Sequence, residues 1–155
     1  MSWARLERAE PEMAALARQE FDKAHVALIG TIRRDGTPRI SSVDPTILDG
    51  VLYLGMMWRS RKALDLLRDP RVLLRNAVAT NKGDEVEVSL RGRVREIREP
   101  DERGRFIAAA TTPWREPRFH LFAMEVESAA LVRYGNGLQS VNVWPGGPEF
   151  ERPYG

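Results

Sequence analysis

The sequence predicts a mainly β protein, an antiparallel β-barrel of about six strands with short helices. Three observations carry this expectation. From Ala24 onward, apolar and polar residues alternate with period two over successive short runs. Two Asp-Gly pairs, Asp35-Gly36 and Asp49-Gly50, separate such runs and mark type I′ hairpins. The runs also follow one another too closely for the long crossovers that parallel strands require.

At 155 residues and 43% apolar content the chain is one domain, 1–155, with enough apolar material for a real core. It divides into a helical segment over 1–22, the barrel over 24–145 and a polar tail over 146–155. The helical segment breaks near Glu10-Pro11, and Met13, Leu16, Ala17 and Phe21 recur on one face. Such a helix covers an end of a barrel or meets a partner subunit. Val26–Ile32 reads as the first strand, Pro38–Leu48 as the second and Val51–Met57 as the third. A short helix from Ser60 to Asp69-Pro70 leads to a strand over Arg71–Val78. Val86, Val88, Leu90, Gly92 and Val94 then alternate with Glu87, Ser89, Arg91, Arg93 and Arg95. A helix over Pro100–Thr111, a long strand over Phe119–Tyr134, a turn at Gly135-Asn136-Gly137 and a strand over Leu138–Trp144 complete the order. A small barrel fills its interior with side chains, so a large ligand belongs outside it or at a subunit junction.

Composition removes several function classes. With no Cys, disulfides, thiolate metal sites and thiol nucleophiles are excluded. His25 and His120 are the two histidines and have no ligand spacing, so no metal site is expected. No Ser/His/Asp pattern, paired carboxylates or phosphate-binding glycine motif emerges, and no catalytic residue is assigned. The formal charge is +2, and the basic row Arg91, Arg93, Arg95 has no interleaved aromatics, which argues against nucleic acid. No long apolar run or signal-peptide pattern is present, so a cytoplasmic protein without a membrane partner is expected.

One electrostatic oddity remains. Ser60 is a good N-cap, yet Arg59, Arg61 and Lys62 crowd the same helix start. Cations there oppose the positive end of the backbone dipole, at a cost of about 0.3–1 kcal/mol each. Free N–H groups beside three cations suit a doubly charged anion such as a phosphate. The run Arg39-Ile40-Ser41-Ser42-Val43 is expected to pair with the strand that delivers Ser60, bringing Arg39 and a serine hydroxyl to the same ligand. With Met56, Met57 and Trp58 nearby, the site suits a flat, amphiphilic cofactor.

Those residues resemble a known family. Leu54–Val72, with Ser60-Arg61-Lys62-Ala63 and Asp69-Pro70-Arg71-Val72, is similar to the flavin-phosphate segment of pyridoxamine 5′-phosphate oxidase and, more widely, of the FMN-binding split-barrel flavoproteins. Gly36–Val43 resembles the family's second strand and Val86–Val94 its central strand, and Trp144 falls where a late aromatic often covers the cofactor. The resemblance covers about residues 24–145. It implies a six-stranded split barrel. It also implies a homodimer with cofactor sites at the subunit interface, and FMN or a deazaflavin coenzyme as the redox group. Arg39, Arg61 and Lys62 would then hold the phosphate, with Ser60 at the helix start and Met56 and Met57 close by. Backbone groups of Ile40, Ser41, Ser42 and Val43 would meet the ring system.

The chain departs from the oxidase in three places. Its C-terminal stretch lacks the Arg-x-His-Asp-Arg-like segment that grips pyridoxal phosphate, Asp44 stands at a flavin-contacting Lys position, and Glu87 stands near a Gln position. The implied function is therefore an FMN-dependent oxidoreductase acting on a small molecule other than pyridoxamine phosphate. A deazaflavin reductase and a non-catalytic flavin- or haem-binding module are the alternatives.

Overall fold

The period-two runs fold into strands, and the runs with helical spacing into short helices. The computed structural model of the chain describes residues 2–78 and 81–153. In chain order the elements are α1 (Ser2–Ala9), α2 (Pro11–Ala24), β1 (Ala27–Ile32), β2 (Pro38–Val43), β3 (Pro45–Leu48), β4 (Val51–Met57) and α3 (Arg61–Arg68). They continue with β5 (Arg71–Asn76), β6 (Val86–Glu96), α4 (Pro100–Ala109), β7 (Phe119–Gly135), β8 (Leu138–Trp144) and β9 (Gly147–Pro153).

All strand pairs are antiparallel, in the spatial order β2-β1-β5-β6-β7-β4-β3, with β8 on β7 and β9 on β8. The single strand expected over Pro38–Leu48 is two. Its first half pairs with β1, its second with β4, and the switch falls at Asp44. Pro45 stands there without an N–H to donate, which favours breaking the ladder at that point. Counting β2 and β3 as one bent stave, the barrel wall has the six strands expected, and the β8–β9 hairpin extends it. The expected pairing of β2 with β4 does not form. Among the described residues β2 pairs with β1 alone and keeps its other edge without a strand partner. This open seam is the split in the barrel.

Two cores follow from the alternation. Leu52, Leu54, Met56, Phe122, Met124 and Val126 face the barrel interior. Tyr53, Phe119, Leu121 and Ala123 point the other way, against Phe106 of α4. Gly55 is forced by this second layer, because a Cβ there would lie 2.9 Å from Trp114 and 3.0 Å from Phe106. Gly92 is forced by the sheet itself. The register between β6 and β7 shifts at Arg91/Gly92, and a Cβ on Gly92 would sit 1.8 Å from the Glu125 carbonyl oxygen.

The turns refine the sequence reading. Asp49 and Gly50 both have positive φ, 51° and 75°, as a type I′ turn needs. At Asp35-Gly36 only Gly36 does, at 87°, so that hairpin closes through a longer loop in which the Arg33 N–H donates to the Thr37 carbonyl. The expected polar tail folds largely as β9, except for residues 154–155, which lie outside the described residues. The amino-terminal helices plug one barrel end: Trp3, Leu6, Met13, Ala17 and Phe21 are buried in the main core, and the Ala4 N–H bonds to the Gly50 carbonyl. Burial of Leu6, Met13 and Phe21 contributes about 1.5–3 kcal/mol each. α3 caps the opposite end, where β4 finishes.

Candidate anion and cofactor site

The site starts where β4 stops. The Ser60 N–H donates to the Met57 carbonyl at 3.0 Å, and Arg59 turns the chain with φ at 56°. Such left-handed backbone at a non-glycine residue is costly and gathers at ligand-binding turns. Trp58 anchors the turn by stacking on His120, with centroids 4.5 Å apart and planes 9° from parallel. His120 is buried on β7 opposite Met56, and burial holds its pKa below the ordinary value. Glu96 pulls the other way, while Arg103 and Arg59 add to the lowering, so the ring is neutral at pH 7. Its Nε2 has no hydrogen-bond partner among the described residues.

α3 begins without the cap its sequence suggests. Ser60 occupies the N-cap position, but its Oγ is buried without a hydrogen-bond partner among the described residues, and no acid stands in the first turn. α4 shows the contrast: Glu99 accepts the N–H groups of Asp101 and Glu102 there. Arg61 is exposed and Lys62 half-buried. No carboxylate pairs with either among the described residues, and burial alone lowers the Lys62 pKa. A partly desolvated cation, a buried hydroxyl and uncapped N–H groups thus share one helix start. Chemically this arrangement accepts an anion.

Arg39 reaches the same helix by a route the sequence reading missed. Its Nε donates to Asp65 Oδ2 at 2.7 Å, and Asp65 lies on α3, one turn past Arg61. The same oxygen accepts Thr31 Oγ1 at 2.8 Å, while Oδ1 accepts Arg68 Nη2 at 3.1 Å. Desolvation alone would raise the Asp65 pKa, but the hydrogen bonds from Arg39, Thr31 and Arg68 outweigh it and hold the carboxyl low. One signal was available: an acid between Leu64 and Leu66, on the side of a helix that must face the barrel.

A family model described as pyridoxamine 5′-phosphate oxidase matches residues 13–133. The chain belongs to the pyridoxamine 5′-phosphate oxidase family. No curated protein sequence matches it. Among solved structures, PhzG from Burkholderia lata 383, in complex with tetrahydrophenazine-1-carboxylic acid, is 11% identical with a TM-score of 0.68, over 96% of each chain. A conserved hypothetical protein of Mycobacterium tuberculosis is 20% identical with a TM-score of 0.61, over 74% of this chain and 81% of its own. A heme binding protein from Mycobacterium smegmatis is 18% identical with a TM-score of 0.61, over 83% of this chain and 57% of its own. These likenesses establish the split-barrel fold.

Placed on that fold, the remaining candidate residues separate. On β2, Ser41 shares the Arg39 side, Ile40 and Ser42 are exposed on the opposite face, and Val43 is buried. Met57 is exposed at the site, whereas Met56 points into the barrel core, since strand neighbours face opposite ways. Trp144 is not brought to the cluster. It pairs with Ala129, roughly 30 Å along β7 from Phe119 at the site end. There it is buried in the main core with Arg5 over its ring.

The acids at departure positions find protein partners of their own. Asp44 accepts from Thr111 Oγ1, and Glu87 pairs with Arg75. The basic row is likewise compensated in part, Arg93 by Glu127 and Arg95 by Glu125.

Proposed function

We propose that this family member binds FMN at the start of α3 and works in the cytoplasm as an oxidoreductase on a small molecule other than pyridoxamine phosphate. The observation that carries the reading is Lys62, a half-buried cation without a carboxylate among the described residues, beside a Ser60 hydroxyl that likewise lacks a partner among them, at an uncapped helix start. A phosphate would satisfy all three. Arg61, Lys62 and Arg39 would hold it. The edge of β2 without a strand partner among the described residues supports the rest of the fit, because the N–H and C=O groups within Ile40–Val43 that point away from β1 match the polar rim of an isoalloxazine ring.

When bound, the flavin supplies the electron-accepting and electron-donating chemistry. The chain's part is to bind and orient. Arg61 and Lys62 neutralise the phosphate, Trp58 on neutral His120 holds the β4–α3 turn still, and Met57 and Ile40 offer apolar surface. Exposed Ile40 and Leu28 on the outer faces of β2 and β1 support a homodimer that covers this side and completes the site.

FMN is favoured over a deazaflavin with an acidic tail, because Glu127 and Glu125 already occupy Arg93 and Arg95. Haem is less well served, since Trp58 covers His120. The purified protein should be yellow, and titrating FMN, a deazaflavin coenzyme and haem against Trp fluorescence should rank FMN first. Arg61→Ala with Lys62→Ala should abolish FMN binding while the apo-protein melt stays level or rises slightly. A large loss of apo stability with affinity intact would return both residues to a structural role. Tight binding without turnover by NADPH or any other reductant would make the protein a flavin carrier instead of an enzyme.

A further inference from the structure

We propose that Asp65 is a positioning residue for the anion site: it holds Arg39 by its Nε so that the two Nη groups are presented at the start of α3. The inference rests on the phosphate reading of that site. Arg39 sits on β2, the strand with a free edge, and no other carboxylate pairs with it among the described residues. A free arginine on an edge strand samples many rotamers, and ordering it upon binding weakens affinity. Asp65 removes that freedom in advance. It is itself fixed from three elements, by Thr31 of β1, Arg39 of β2 and Arg68 of its own helix. The carboxylate is buried, so solvent does not loosen the contact. It consumes one face of the Arg39 guanidinium and leaves the other side chain donors for a ligand, in the fork geometry that suits phosphate oxygens.

Charge and position make opposite forecasts here. By Coulomb's law alone, deleting a carboxylate near an anion site tightens anion binding. If Asp65 acts by holding Arg39, the same deletion weakens it. The test compares FMN with riboflavin, which lacks the phosphate, by fluorescence quenching on wild type, Asp65→Asn and Arg39→Lys. Wild type should prefer FMN. Asp65→Asn should lose up to about tenfold in FMN affinity, the scale of ordering one rotamer-rich side chain on binding, with riboflavin affinity unchanged. Arg39→Lys keeps the charge but cannot be gripped through Nε, so it should lose FMN preference similarly, and it serves if Asp65→Asn does not fold. Unchanged or tighter FMN binding in both variants overturns the inference, as does an equal loss for riboflavin, which marks a structural residue. Wild type binding both flavins equally well would overturn the phosphate reading first, and this inference with it.

Discussion

A lysine half out of water with no carboxylate beside it is an unfinished contact, and Lys62 gives that idea a measurable form. Burial lowers its pKa from 10.5, so in the apo-protein its charge opposes folding and stability rises as pH climbs toward that value. A bound phosphate reverses the preference by favouring the charged amine. FMN affinity should therefore fall as pH is raised from neutrality toward 10.5, and Lys62→Met should flatten that profile in a fluorescence titration. His120 titrates at the other end. Its lowered pKa means that the unfolded chain takes up the proton first, so its contribution is complete above 6.5 and is lost as pH falls below that value. The melting temperature should drop between pH 7 and pH 5, and His120→Phe, which keeps a ring under Trp58, should reduce the drop. Equal slopes in both proteins would remove His120 from the account.

At the scale of elements, α3 and α4 are a natural pair for comparison. Both begin at a residue with a side-chain acceptor, but only Glu99 uses it. Ser60→Ala should leave the apo melt unchanged or raise it, because no hydrogen bond is lost and a buried partnerless hydroxyl is removed. FMN binding should weaken in the same variant. Glu99→Ala should do the reverse, lowering the melt without touching flavin affinity. The β6–β7 ladder makes a sterner demand. Gly92→Ala would drive a methyl into the Glu125 carbonyl at the bulge, and about 3 kcal/mol of stability should disappear in a urea titration. The glycine serves backbone approach, so its place in the family's central strand says nothing about chemistry.

At the scale of the molecule, one barrel end is closed by the amino-terminal helices and the other by α3. Trp3 is fully buried at the first of these ends, and Trp3→Ala should cost about 3–5 kcal/mol by denaturant unfolding. If the exposed apolar residues of β1 and β2 meet a second copy, sedimentation should return twice the 17.6 kDa chain mass. Ile40→Glu should then return one chain mass and weaken FMN binding together. A dimer that survives this change uses another face.

Much of this architecture is legible in the amino-acid sequence. Alternation, Asp-Gly turns and a proline-terminated helix act over a few residues, so the strands, two of the hairpins and the misplaced cations at Arg61 and Lys62 could be read locally. The tertiary structure decided what lies across the barrel. It gave Arg39 a carboxylate 26 residues away, left β2 with an open edge where a pairing with β4 was expected, and sank Met56 and Trp144 into the core. Periodicity states which residues share a face, but strand order decides what that face meets. A buried charge is resolved by its neighbours in space, and Asp65 became visible only when β1, β2 and α3 converged on it.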